Sequence, residues 1–437
     1  MLHSLLNMFR VQDLRKKILF VLFIIAVYRL GAHIPVPGIS IEGVRNLQEQ
    51  SAANNSGILN LLNLFSGGAL THVAIFALGI MPNITASIIM QLLQVVIPKL
   101  EQWREEGELG QKKITQATRY LTLVLALIQS AGLAYLLSTG QLGQGGAKVE
   151  GILGPDPALW RYGLIVVTMT TGTVLIMWLG ELITQRGIGN GMSLLIFASV
   201  LSQLPSQFAA VFQSNFSVGV LLCVIALGMI VGIVFIESGE RRIQVQFAKR
   251  IVGRRMTSGG STYIPLKVNT GGVIPIIFAS SVLYIPTLFA SALPWAWLQN
   301  FVRDFVTNQK SWFYVASYFL LVIGFSYFYN MIQFDPYRNA EFLKKQGGYI
   351  PGVRPGKQTA EYFHRILNRL TLPGALYLAS IAIIPVLVLA FSGVQAFPFG
   401  GTSMLIAVGV ALETMKQIDS QLMMRNYEGF LAGSRPK

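Results

Sequence analysis

The chain is 437 residues long, 53% hydrophobic and 12% charged, about half the charge of an ordinary soluble domain, which excludes a water-soluble globular enzyme and indicates a membrane-embedded protein. Its net charge of +15 admits nucleic acid as a partner, but the placement of the charges speaks first to topology. One cysteine, Cys223, excludes an intramolecular disulfide, and four scattered histidines (His3, His33, His72, His364) make no metal-ligand spacing, so no metal or other cofactor is expected.

In chain order, Arg15, Lys16 and Lys17 precede an apolar run at 18–34. A cleavable secretory signal has the same flank, but the number of later runs favours a first membrane helix. Next comes GILNLLNLFSGGAL, Gly57 to Leu70, apolar yet too short to cross a core of about 30 Å. Runs long enough to span then follow at 75–98, 115–138, 159–182, 188–206, 217–237, 272–293, 311–333, 371–394 and 401–419. Of the 34 Lys and Arg, 27 fall in segments on one side of these ten spans: 1–17, 99–113, Arg186, 239–267, 335–369 and from Lys416 onward. The positive-inside rule therefore places both termini in the cytoplasm. Two of these basic segments, 239–270 and 334–370, are each about 30 residues long, beyond the usual range of structureless connections. They are expected to project into the cytoplasm and dock a partner; orientation alone is the plainer account of their charge.

Ten spans divide into two sets of five, residues 1–206 and 207–437, and an odd number in each half requires any repeat to be inverted across the membrane. The second span of each half carries G-x-x-P-x-I-x-A-S, as GIMPNITAS (Gly79 to Ser87) and GVIPIIFAS (Gly272 to Ser280). The fifth carries G-x-S-x-L-I, as GMSLLI (Gly191 to Ile196) and GTSMLI (Gly401 to Ile406). Chance similarity between apolar segments is the alternative, weakened by two matches at corresponding positions. Pro82 and Pro275 are expected to loosen the backbone near the midplane. Such an architecture suits a secondary transporter or a protein-conducting pore. Ion-coupled transporters need ionisable groups at membrane depth, whereas Arg29, Arg119, Arg161, Glu181, Glu237, Glu413, Lys416 and Asp419 lie toward helix ends, where long side chains snorkel. No energy-converting site is present: PGVRPGKQT (Pro351 to Thr359) lacks the first glycine and the final hydroxyl of a phosphate loop, and GIGNG (Gly187 to Gly191) fails G-x-G-x-x-G at Met192.

The strings LFSGGALTHVAIFALGIMPNITASIIMQLL, RGIGNGMSLLIF, PLKVNTGGVIPIIFASS, PGVRPGKQTAEY and GGTSMLIAVGV closely resemble the SecY family of bacterial protein-translocation channels, from near Arg10 to about Tyr427. The resemblance implies an all-α integral membrane protein of ten transmembrane helices in two inverted five-helix halves, an hourglass channel with a plug half-helix and a lateral gate. It implies no enzyme activity, but passage of unfolded preproteins across the bacterial cytoplasmic membrane and lateral release of hydrophobic segments into the bilayer. The plug falls near 58–69, with Ile58, Leu61, Leu62 and Phe65 as its apolar face and Gly67 and Gly68 as a flexible joint; a static re-entrant cap is the alternative. The pore ring falls on Ile80, Ile84, Met192, Ile196, Ile277 and Ile406, positions that without the resemblance read as lipid contact or packing. The lateral gate falls on Thr85, Ser87, Gln129, Ser280 and Ser281, residue types that ordinary helix packing also favours. Arg254, Arg255 and Arg354 match the loop arginines that dock the ribosome, including its RNA, and the SecA motor ATPase. The remaining implied partners are the SecE and SecG subunits, signal sequences, preproteins and membrane lipids.

Overall fold

A peptide group in hydrocarbon finds no water and must bond within its own segment, so the apolar runs fold as helices. A computed structural model of the chain describes residues 11–40, 66–139, 159–214, 216–247, 250–252, 255–257, 260–292, 297, 301–302, 305, 311–392 and 401–433. Among the described residues a long helix stands at each of the ten expected positions. The first six are α1 (Gln12–Gly31), α2 (Met81–Val96), α4 (Glu108–Thr139), α5 (Leu159–Arg186), α6 (Gly191–Ser214) and α7 (Phe216–Glu237), with the short α3 (Pro98–Glu105) after α2. The others are α8 (Ile274–Ala292), α9 (Trp312–Gln333), α11 (Lys357–Ser392) and α12 (Gly401–Gly433), with the short α10 (Pro336–Lys345) after α9. Five segments in this set are individually long and apolar enough to cross a bilayer, and α2 with α3 adds a sixth as a pair bent by 100°. That bend follows from Pro98, which holds the preceding Ile97 extended at φ −99°, ψ 112°. The apolar parts of α6 and α8 are shorter, Gly191–Pro205 and Ile274–Leu283.

One expectation of the spans changes. Pro82 and Pro275 do not interrupt spans: each lies in the first turn of its helix, α2 or α8, where a missing N–H costs nothing. The break precedes them, at Gly79 (φ 57°) and Gly272 (φ 59°), so the repeated G-x-x-P writes the same local instruction twice: a left-handed glycine, then a helix start. The second motif also marks helix starts, Gly191 and Gly401 being the first residues of α6 and α12.

The chain divides into two compact units, Met1–Ser214 with Pro286–Arg303 and Val410–Lys437, and Asn215–Ile285 with Asp304–Gly409. In the first, α4 packs on α2 and α5, and α5 on α6. Small residues permit the close approaches: a Cβ on Gly172 would lie 2.1 Å from the Ile75 carbonyl oxygen, and one on Gly191 1.9 Å from that of Gly180. Buried hydroxyls cross-link the helices, Thr122 Oγ1 donating to Asn83 Oδ1 at 3.1 Å and Ser130 meeting Thr170 at 3.1 Å. Arg119 and Glu181 do not snorkel apart; the guanidinium forks onto the carboxylate at 2.7 and 2.5 Å. Beyond α1 the chain turns back, Val36 N donating to Val73 O at 3.0 Å and Ile75 N to Ile34 O at 2.9 Å, over a core that includes Val36, Val73, Leu133, Ile165 and Met169.

In the second unit the two long basic loops fold onto each other. Strands β1 (Glu240–Phe247) and β4 (Ser261–Lys267) pair antiparallel from Glu240↔Lys267 to Gln246↔Ser261. Strand β5 (Gly348–Tyr349), from the other loop, adds to β1 through Gln246↔Tyr349, while β2 (Arg250–Val252) and β3 (Arg255–Thr257) form a separate pair. Ile243 and Val245 alternate inward at the strand period and pack with Leu266, Leu343, Ile350, Phe363 and Leu367. Asp335 caps α10, accepting from Tyr337 N at 2.9 Å and Arg338 N at 3.3 Å. Helix α11 begins well before its apolar run because hydropathy marks only the part in lipid, whereas Arg365, Leu367 and Arg369 propagate a helix through water equally well.

The α5–α6 contact generates a stability prediction. Gly191→Ala must push the two backbones apart, an overpacking cost of about 1–3 kcal/mol. Melting of the detergent-solubilised protein should shift down by several degrees, while Gly132→Ala, a site with nothing within 4 Å, should not shift it down.

Candidate functional site

The candidate ring positions share a local design within each unit. In the first, Ile80 precedes α2 and is fully buried, and Ile84, one turn on, is half-buried. Met192 and Ile196 occupy the opening turns of α6, with Met192 Sδ filling the space over Gly180, where a Cβ would meet it at 2.2 Å. In the second unit Ile277 lies in the first turn of α8 and Ile406 in the second turn of α12, both buried. All six are thus aliphatic or thioether groups at or just inside helix starts, each downstream of Gly79, Gly191, Gly272 or Gly401.

The candidate gate hydroxyls satisfy themselves locally. Thr85 Oγ1 donates to Met81 O at 2.9 Å, and Ser280 Oγ and Ser281 Oγ both donate to Ile277 O at 2.8 Å. Their hydrogens are spent on their own helices, which leaves only acceptor capacity for a neighbour. Ser87 and Gln129 are half-buried, on α2 and α4.

Of the plug positions, Ile58, Leu61, Leu62 and Phe65 lie outside the described residues. Gly67 and Gly68 are described, and in place of the expected flexible joint they form a held one. Both take left-handed backbone, φ 64° and 88°. Arg29 Nη1 donates to the Gly67 carbonyl at 2.8 Å, and the fully buried Tyr28 hydroxyl meets Ser199 Oγ at 2.7 Å and Ser66 O at 3.5 Å. A Cβ on Gly67 would come within 3.3 Å of Ser199 Cα. Thr71 Oγ1 closes the next turn on Gly68 O at 2.7 Å. Arg29, taken from the sequence as a snorkelling end charge, therefore anchors a bend; an Arg next to a Tyr at the close of an apolar span was the available signal. Outside the expected spans, His72 stacks at a tilt 5.2 Å from His33. Burial, then the charges of His33 and Arg29, hold the His72 imidazole below its ordinary range.

Of the candidate docking residues, Arg354 is exposed in a turn between β5 and α11 built on left-handed Gly352 (φ 82°) and Gly356 (φ 109°). Thr359 Oγ1 ties the turn down by donating to Arg354 O at 2.9 Å. Arg255 pairs with Val252 in the β2–β3 ladder, and Arg254 lies outside the described residues. Among the described residues no three His, Cys, Asp or Glu converge as a metal site would require.

A sequence model of the SecY family matches residues 74–415. The chain belongs to the SecY family. A protein translocase subunit SecY of Streptomyces coelicolor is 50% identical over 445 residues, covering 99% of this chain and all of the relative. One from Mycobacterium tuberculosis is 48% identical over 443 residues with the same coverage. The fold agrees with solved SecY-type channels: a structure described as that of a protein conducting channel superposes with a TM-score of 0.61 at 17% identity, covering 91% of this chain and 90% of that one. Sec61 in a canine ribosome-channel complex gives 0.56 at 16% identity over 91% and 90%. The chain is accordingly a multi-pass helical membrane protein, a translocase channel subunit and not an enzyme.

The Arg29–Gly67 bond gives the prediction. Arg29→Ala removes a charge-assisted hydrogen bond of about 1.5–3 kcal/mol, so amide exchange of Ala69 and Leu70 should accelerate at least tenfold. Exchange in α5 should stay as in the parent.

Proposed function

We propose that this chain is the pore-forming subunit of a translocase in the bacterial cytoplasmic membrane, both termini cytoplasmic, with residues 1–206 and 207–437 as two inverted halves. It passes unfolded preproteins outward and releases hydrophobic segments sideways into the bilayer. The observation that carries this reading is the placement of Ile80, Ile84, Met192, Ile196, Ile277 and Ile406 at or just inside helix starts marked by a glycine in a chain matched to the SecY family over most of its length. Aliphatic groups resist wetting when close together and offer a passing chain no fixed hydrogen bonds. They form a ring that is shut to ions when idle and yields to a polypeptide.

The segment 58–69 serves as the plug, anchored at Gly67 by Arg29. Thr85, Ser87, Gln129, Ser280 and Ser281 line the lateral gate, where signal sequences and lipids meet the pore. SecE and SecG complete the complex. The folded platform of both basic loops is the docking face for the SecA motor and for the ribosome, a partner named for the Sec61 and yeast Ssh1 relatives of this fold. Arg254, Arg255 and Arg354 supply planar guanidinium forks that suit both RNA phosphates and protein carboxylates. Energy for transport comes from these partners.

Sealing depends on apolar bulk. Ile84→Gly combined with Ile277→Gly should make the resting channel conduct small ions in planar bilayers, while Ile→Leu at both positions stays silent. A silent double-glycine channel, even with residues 58–65 deleted, would remove these positions from the ring. At the platform, Arg354→Glu should lower motor-driven preprotein export at least tenfold with membrane assembly unchanged; export at the parent rate would refute the docking role.

A further inference from the structure

Six residues, 268–273, separate the end of β4 from the start of α8. Residues 268–271, VNTG, precede the expected span at 272–293, yet the whole segment is pinned to three helices. Val268 N donates to Gly239 O at 3.2 Å, just past α7, and its own carbonyl lies where a Cβ on Gly374 of α11 would come within 2.6 Å. Asn269, 5% exposed, donates through Nδ2 to Glu237 Oε1 at 2.8 Å and to Gly272 O at 2.9 Å. Thr270 Oγ1 and Gly271 N, the latter at 3.2 Å, both donate to Asn330 Oδ1 of α9. Asn330, 7% exposed, then donates through Nδ2 to Thr371 Oγ1 of α11 at 2.9 Å. Gly271 is itself wedged, a Cβ there lying 3.2 Å from Pro275 Cγ and 3.3 Å from Tyr329 Cβ.

A buried carboxamide whose acceptor takes two bonds and whose donor makes a third holds its partners in one geometry, because any slip strands a polar group away from water. The segment so held joins the platform hairpin to the helix that carries Ile277, Ser280 and Ser281. We infer that Asn330 is a positioning residue that makes residues 268–273 a stiff coupler, so that a load placed on the hairpin by a docked partner reaches the first turn of α8 without being absorbed in between. This inference rests on the channel reading of the ring and gate positions, and adds to it the route by which cytoplasmic docking opens them.

Two isosteric substitutions separate coupling from plain stability. Thr371→Val leaves the buried Asn330 Nδ2 without its acceptor, the costlier loss to the fold, but touches nothing on the coupler. Thr270→Val leaves Asn330 Oδ1 still bonded to Gly271 N, the milder loss to the fold, but frees the coupler. In proteoliposomes of the full complex, Thr270→Val should slow the maximal motor-driven translocation rate roughly two- to tenfold, the equivalent of one net hydrogen bond. Affinity for the motor should be unchanged, Thr371→Val should run faster than Thr270→Val despite melting lower, and Thr270→Ser should restore the rate. Thr270→Ala replaces Thr270→Val should the latter fail to accumulate. Translocation by the parent with rates that follow melting temperature, or with no difference between the variants, overturns the coupling and leaves the channel reading standing.

Discussion

A backbone amide or carbonyl inside a bilayer has no water to fall back on, and each one left unpaired costs several kcal/mol. Straight helices meet that constraint without help. A chain that must also break its helices cannot, and this one breaks them at Gly67–Gly68, at Gly79 and across 268–273. Gly79 closes on its own backbone, its N–H donating to Phe76 O at 2.8 Å; the other two breaks are matched by polar side chains. Arg29 and Tyr28 serve the Gly67 bend, and Asn269 and Asn330 serve the entry to α8. These few groups let apolar residues sit at helix starts.

The same economy shapes the packing. With lipid as apolar as any side chain, helices gain little by hiding leucine and more by close approach and hydrogen bonding. Gly172 and Gly191 bring backbones within reach, and the Asn83–Thr122 and Ser130–Thr170 bonds cross-link α2, α4 and α5. Outside the bilayer ordinary rules return: the platform of β1, β4, β5, α10 and α11 has an alternating strand pattern and an aliphatic and aromatic core around Phe363.

Much of the fold was legible in hydropathy, because the bilayer imposes a length on every apolar run; α7, uncharged between Phe216 and Ile236, is the clearest case. The shared local form of the two G-x-x-P motifs was legible too, since Gly79 and Gly272 adopt nearly the same φ. The platform was not. The two basic loops read as projecting segments, and their pairing through Gln246 and Tyr349 joins residues far apart in sequence, a contact no local pattern encodes. Asn330 escaped for a different reason. A search of apolar spans for ionisable residues passes over a neutral amide, although a buried amide also costs free energy when its hydrogen bonds are lost. Arg29 was seen and given the wrong task, because snorkelling to water and folding back onto a carbonyl leave the same trace in a sequence.

This chain conducts polypeptide, a property that reconstitution tests directly. The purified protein, reconstituted with a SecE subunit, as proposed, and a motor ATPase in sealed vesicles, should render an added preprotein resistant to external protease in an ATP-dependent manner, and detergent should abolish that resistance. Preprotein that stays fully digestible, with motor and partner both bound, would contradict the account.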